Sequence, residues 1–276
     1  MLLQECIFRP RSKAVSTKKK LEDEVQGLVS AWIKNGQIWG EELWGWKNDE
    51  LIVTCWTPCR DSLNKTYAAE WVRKAATRVH SLCREAPTTK VIAQRHTEVN
   101  AKSWRKQASL YLFTHMLDDT SPICGGRTGV PIPLYLISID QQLRQNLISW
   151  MQSYKHVDSL WTGSGPLEME AYRELARTNS TLTQKGRQLA SNVEASTKLP
   201  TYYYLMKYWG HSITDEIDRK CPGCGQAWKQ SRKGQRGLDW FDYRCEPCRL
   251  VSHLAVSFDD ARRASIGEWK AKVIAN

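Results

Sequence analysis

Four of the nine cysteines in this 276-residue chain stand in two C-x-x-C pairs. Cys221 and Cys224 lie in KCPGCG, and Cys245 and Cys248 lie in RCEPCR. Two intervening residues let one tight turn bring both sulfurs to the same ion, and thiolate sulfur is a preferred donor to tetrahedral Zn²⁺. Pro222, Gly223 and Gly225 suit such a turn in the first pair, as Pro247 does in the second. Twenty residues separate Cys224 from Cys245, room for a short hairpin out and back. The spacing predicts one Zn²⁺ on Cys221, Cys224, Cys245 and Cys248. Catalytic zinc keeps a position open beside three protein ligands, and four thiolates leave none, so the ion is expected to be structural. His253, five residues after Cys248, is a further donor that a complete thiolate set makes unnecessary.

The stretch between the pairs carries Lys229, Arg232, Lys233 and Arg236 with no acidic residue in KQSRKGQRG. Trp228 precedes it and Trp240, Phe241 and Tyr243 follow it. Basic side chains meet phosphates, and aromatic faces stack on unpaired bases. The plainer alternative makes the loop a solvated tip and the rings a shield for the metal, and for the rings that alternative is favoured. A second basic stretch, RPRSKAVSTKKK, holds six cations between a first strand and a first helix. Lys18, Lys19 and Lys20 oppose the helix dipole there, a conflict that a bound anion or the following Glu22, Asp23 and Glu24 would relieve. TYYYLMKYWG offers an aromatic strand, read here as core packing before an RNA platform.

A formal charge of +11 suits polyanionic partners but is spread thinly along the chain. Cys6, Cys55, Cys83 and Cys124 are scattered and read as small buried hydrophobes. The N-terminus lacks the apolar run of a signal peptide, and no stretch is long and apolar enough to span a membrane. These features predict a cytoplasmic, thiol-reducing setting. Phosphate-loop, nucleophile-elbow, zincin and dinucleotide motifs are all missing, so binding without catalysis is expected.

The elements that must position these residues read as follows. Strand LLQECIFR, a helix from Leu21 to Gly36, strands QIWGEELWGWK and ELIVTCWTP joined at Asn48-Asp49, helix YAAEWVRKAATRVHSLCREA and strand TKVIAQR give β-α-β-β-α-β. That order is ferredoxin-like. ASLYLFTHML reads as a buried strand and SPICGGRTGVPIPLYLI as a loop. Three helical stretches follow, DQQLRQNLISWMQSYKHVDSLW, Leu167–Arg177 and Leu182–Ala195, and then the strand PTYYYLMKYWG. The fold class is therefore α+β: a ferredoxin-like unit over 1–97, a mixed, mainly helical subdomain over 98–214, a Cys₄ zinc ribbon over 215–258 and a tail over 259–276.

PIPLYLI, SWMQSYKHVDSLW, the run from TLTQKGRQLA to PTYYYLMKYWG, and RKCPGCGQAW with YRCEPCRLVSHLA together resemble one bacterial family. It is domain-of-unknown-function family 2310, described as zinc-ribbon-containing and nucleic-acid-binding. The resemblance implies zinc on the same four cysteines. It departs at SPICGGRTGVPIP, where a second cysteine is expected three residues after Cys124 and Arg127 stands instead. The expected function is binding of RNA or DNA through Lys229, Arg232, Lys233 and Arg236, then Lys18 to Lys20. The alternative is a protein-interaction module, such as an immunity protein or adaptor, in which the ribbon is only structural.

Overall fold

The computed structural model describes residues 1–95, 101–230, 238–258 and 266–269, with 101–103 as backbone only. It divides into two compact units, one of residues 1–104, 119–121 and 130–145, the other of 105–118, 122–129 and 146–276.

The first unit runs β1 (Leu2–Phe8), α1 (Val15–Asn35), β2 (Trp39–Lys47), β3 (Glu50–Thr57), α2 (Glu70–Leu82) and β4 (Thr88–Gln94). The sheet order β2-β3-β1-β4 is antiparallel throughout and ferredoxin-like, as the element order predicts. Alternation along β1 and β3 buries Cys6, Phe8, Leu51, Val53 and Cys55 on one face. Leu21, Val25, Leu28, Val29 and Trp32 of α1, with Val72, Ala75 and Val79 of α2, complete that core. Asn48 and Asp49 both take positive φ (49° and 64°), the geometry that matches a two-residue hairpin to the strand twist.

One boundary differs from the sequence reading. Helix α1 begins at Val15, two turns before Leu21, so Lys18, Lys19 and Lys20 lie within the helix and not in a loop before it. The early start is locally compensated: Asp49 in the hairpin turn pairs with Lys13 at 2.8 Å and Lys18 at 2.6 Å.

The second unit holds β5 (Leu110–Leu112), β6 (Ile123–Gly125), the length of α3 (Gln141–Thr162) from Asn146 on, α4 (Glu168–Ala176), α5 (Thr181–Thr197), β7 (Thr201–Tyr204), α6 (Ile213–Ile217), β8 (Tyr243–Cys245) and β9 (Leu250–Ser252). Its sheet has the order β6-β5-β7-β9-β8, with β5–β7 and β7–β9 parallel and the outer pairs antiparallel. Strands from the cysteine-bearing segment thus hydrogen-bond into the same sheet as TYYY. The two strands read from ASLYLFTHML and PTYYYLMKYWG are shorter than expected, three and four residues. Ser180 caps α5 by accepting the Thr183 N–H at 3.2 Å. Gly186 lets α5 approach the sheet, because a Cβ there would lie 2.3 Å from the Tyr203 ring and 2.8 Å from Trp150 Nε1.

Tyr202, Tyr203 and Tyr204 are all buried, which agrees with the core reading of that strand. A buried ionic chain lies beside them. Lys207, with a fully buried side chain, stands 3.7 Å from Glu216 and 3.6 Å from Glu268 and donates to the Ile266 carbonyl at 2.9 Å. Glu216 pairs with Arg219 at 3.2 Å, and the Arg219 guanidinium sits over Tyr243 at 4.3 Å and Trp228 at 5.0 Å. Among the described residues no helix is long and apolar enough to cross a membrane.

Candidate metal centre

The first cysteine pair sits on a closed turn. Lys220 and Ala227 bridge its base, Cys221 donates its N–H to the Gln226 carbonyl at 2.9 Å, and Gly225 donates to the Cys221 carbonyl at 2.8 Å. Gly225 has φ +74°, a left-handed conformation that glycine adopts without strain. The second pair closes the β8–β9 hairpin, where Cys245 ends β8 and faces Leu250. Arg249 follows Cys248 as Gly225 follows Cys224, and it too is left-handed, with φ 51°. Two different residues thus make the same turn at the same offset.

The turns bring the donors together. One ligand atom from each of Cys221, Cys224, Cys245 and Cys248 lies within 4.8 Å of the others, and Cys224 Sγ is 3.6 Å from Cys245 Sγ. Four sulfurs at about 2.3 Å from one zinc would stand roughly 3.8 Å apart, so the cluster fits a tetrahedral ion with little movement. None of the four is in a disulfide. A Cβ at Gly223 would lie 2.8 Å from Cys248 Sγ, so the first turn can close over the second only because that residue is glycine. The Gln226 N–H holds the Cys224 thiol below its usual range, as a thiolate donor requires. Burial pushes Cys245 and Cys248 up, Cys248 to about 11. The cluster can hold a metal ion.

Arg249 ties this centre to the helices. Its guanidinium meets both carboxylate oxygens of Glu194 on α5, at 2.9 and 3.0 Å, and Glu246 at 3.1 Å. Arg187 on α5 donates to the Cys248 carbonyl at 3.3 Å. Sequence reading did not single out this clamp. Its one local signal is an arginine where a cysteine turn usually has glycine. His253, the spare donor, instead has Nδ1 2.8 Å from the Tyr204 hydroxyl.

Of the aromatic residues flanking the basic loop, Trp228, Phe241 and Tyr243 are buried and belong to the core of the module. Trp240 remains 42 % exposed. Lys229 is exposed and bridges Tyr243 across the hairpin. Arg232, Lys233 and Arg236 lie outside the described residues. Leu238 is fully buried, its N–H donating to the Gly126 carbonyl. Lys18, Lys19 and Lys20 belong to the first unit: Lys18 is spent on Asp49, while Lys19 and Lys20 are exposed.

An α+β chain with a ferredoxin-like unit and a four-thiol centre is the class that these features define. The chain belongs to a bacterial family of unknown function. Residues 105–206 match the domain of unknown function DUF2310, and 1–93 and 210–258 match two further domains of unknown function, DUF8589 and DUF8594. An uncharacterised protein of Haemophilus influenzae is 32 % identical over 249 residues, which are 85 % of this chain and 91 % of that one. A second from the same organism is 38 % identical over 148 residues, 53 % of this chain and 71 % of the relative. Among solved structures, an antibiotic biosynthesis monooxygenase matches 34 % of this chain over 99 % of its own, at 11 % identity and a TM-score of 0.28. The expectation of binding without catalysis is withdrawn: the neighbour is named as a monooxygenase, and at this score the likeness says nothing for or against a reaction in this chain. The likeness is of fold over a third of the chain, and no reaction is carried across from it.

Proposed function

We propose that the four cysteines bind one structural Zn²⁺ in a ribbon that presents its basic loop to RNA or DNA. The observation that supports this is the convergence of the four sulfurs, between whose two pairs the sequence carries the cations. Main-chain bonds from Arg244 N–H to the Trp228 carbonyl and from Gln230 N–H to the Asp242 carbonyl, each 2.8 Å, set the direction of the chain as it enters and leaves the loop. Metal coordination supplies folding free energy to a module this small. Phosphates would then meet Lys229, Arg232, Lys233 and Arg236, and exposed Trp240 offers one face to an unpaired base. Lys19 and Lys20 form a secondary basic surface. Nine cysteines, none in a disulfide, fit a reducing cytoplasm.

The test is titration of the zinc-loaded chain with single- and double-stranded RNA and DNA across salt concentrations. Affinity should fall with salt. Changing the four loop cations to Ser should cost at least about tenfold and flatten the slope by up to roughly three to four ions. Unchanged affinity with an unchanged slope overturns the assignment of the loop. Binding to none of the four polymers near physiological salt overturns the nucleic-acid reading and leaves the interaction-module alternative.

A further inference from the structure

Away from the cysteines, the second unit has an open cavity of about 300 Å³. Phe113, His115, Met116, Tyr154, Asp158, Trp161, Tyr204 and Met206 line it, and its surface is almost wholly apolar. It is at the small end of the range for small-molecule sites. The chain segment after β5 forms one wall, α3 another and β7 the third. Phe113 and Tyr204 meet edge to face at 4.8 Å, and Phe113 lies 5.8 Å from the His115 ring.

One ionisable group is out of place in such a wall. Asp158 is only 5 % exposed, and it accepts the Met116 N–H at 2.7 Å through Oδ2 alone. Among the described residues no hydrogen bond reaches Oδ1. Oδ1 is not among the buried atoms that lack a partner, so it is open to the cavity, where a carboxylate with about four lone-pair sites can still accept. Thr114, in the same wall, is fully buried, and its Oγ1 also lacks a hydrogen-bond partner. A structural aspartate would be expected to have its second oxygen paired, as Glu194 does. A half-paired carboxylate among aromatic faces and thioethers is instead the arrangement that receives an organic cation.

We infer that this cavity binds a small protonated amine carried on an apolar or aromatic body, with Asp158 as its counter-ion and Phe113, Trp161 and Tyr204 as its walls. The site is separate from the cysteine centre and stands whether or not the chain binds nucleic acid. Burial raises the Asp158 carboxyl, with the Met116 N–H and His115 opposing. Amine binding therefore strengthens as pH rises and Asp158 ionises. The other titratable groups facing it act in known directions. His115 repels the amine when protonated, and the Tyr154 and Tyr204 hydroxyls, raised by burial, stay neutral.

The probe pair is benzylamine and benzyl alcohol, of near-equal shape, titrated into the full zinc-loaded chain by saturation-transfer NMR. The amine should bind about tenfold tighter than the alcohol at pH 8, with the ratio shrinking toward pH 5. Asp158→Asn should bring the amine down to the level of the alcohol and leave the alcohol unchanged. Phe113→Leu should weaken both. Equal binding of the two probes, an amine affinity indifferent to Asp158→Asn, or no binding of either at tens of millimolar overturns the inference. If Asp158→Asn does not fold, the ratio of the two probes and its pH dependence in the unaltered chain decide alone.

Discussion

The two units solve the problem of stability with different materials. The ferredoxin-like unit has strands of seven to nine residues and two amphipathic helices, and its core is a continuous apolar cluster. Its ion pairs lie at the surface, Arg9 with Glu50, Lys18 with Asp49 and Arg78 with Glu24. The second unit pairs strands of only three or four residues. Its interior holds three consecutive buried tyrosines, a buried lysine, glutamate and arginine, and a cluster of thiols. Burial of apolar surface carries the first unit. The second has directional pairs and a thiol cluster that can hold a metal ion, and each fails if one partner is lost. Substitutions that look equivalent on paper should therefore be graded in one unit and abrupt in the other.

The largest effect should come from the thiolates. Cys221→Ser, or a strong chelator, removes a contribution that in small zinc modules is on the order of 10 kcal/mol. The near-ultraviolet dichroism of Trp228 and Tyr243, whose tilted rings lie 5.1 Å apart, should collapse. The far-ultraviolet signal of the four-stranded sheet should persist. Elemental analysis should give one zinc per chain, lost in the variant. A chain that melts identically with and without chelator would break the comparison at its main point.

Lys207→Met ranks next. It matches the length of the buried side chain but leaves Glu216 facing Arg219 alone and Glu268 without its buried cation. Breaking a buried pair from one side costs about 3–5 kcal/mol. The double change Lys207→Met with Glu268→Gln should recover part of that loss, because Glu216 keeps Arg219 and position 268 no longer carries a charge without Lys207. Urea unfolding followed by the fluorescence of the second unit measures both. A loss below about 1 kcal/mol would show that the ionic chain is incidental, and the second unit would then resemble the first.

Legibility in the sequence follows the same division. In the first unit the periodicities of β1, α1, β3 and α2 are long enough to read, and Asn48-Asp49 marks its hairpin by chemistry alone. The early start of α1 was missed because Lys18, which looks like part of a basic loop, is paid for by Asp49, thirty-one residues on. In the second unit the cysteine spacing revealed the four-thiol cluster, since the spacing of such residues is a local property. The parallel pairing of β7 with β5 and β9 left no local trace. Nor did the cavity at Asp158, an ordinary polar position of α3 until Met116 and Tyr204 are folded against it.

The smallest effect sharpens the comparison through acid. Hydrogen bonds from Lys13 and Lys18, with their charges, hold Asp49 down to about 2 from its ordinary value. The sign is that of a depressed carboxylate. Its contribution is fully present above the ordinary aspartate range and is lost only as pH falls toward 2. The group is exposed, so the effect on stability is slight and shrinks with salt. Thiolate coordination fails much earlier on the same descent, because protons compete for the sulfurs. An acid titration followed at separate probes should thus resolve two events: release of metal with loss of second-unit signals, and far below it the titration of the Asp49 side chain. Lys18 stands 5.3 Å over the Trp46 ring and makes that indole a reporter of the second event. Asp49→Asn should abolish the Trp46 response near pH 2 without altering metal release. If both signals moved together, the two units would be one cooperative structure, and their difference in materials would have no consequence for how the chain unfolds.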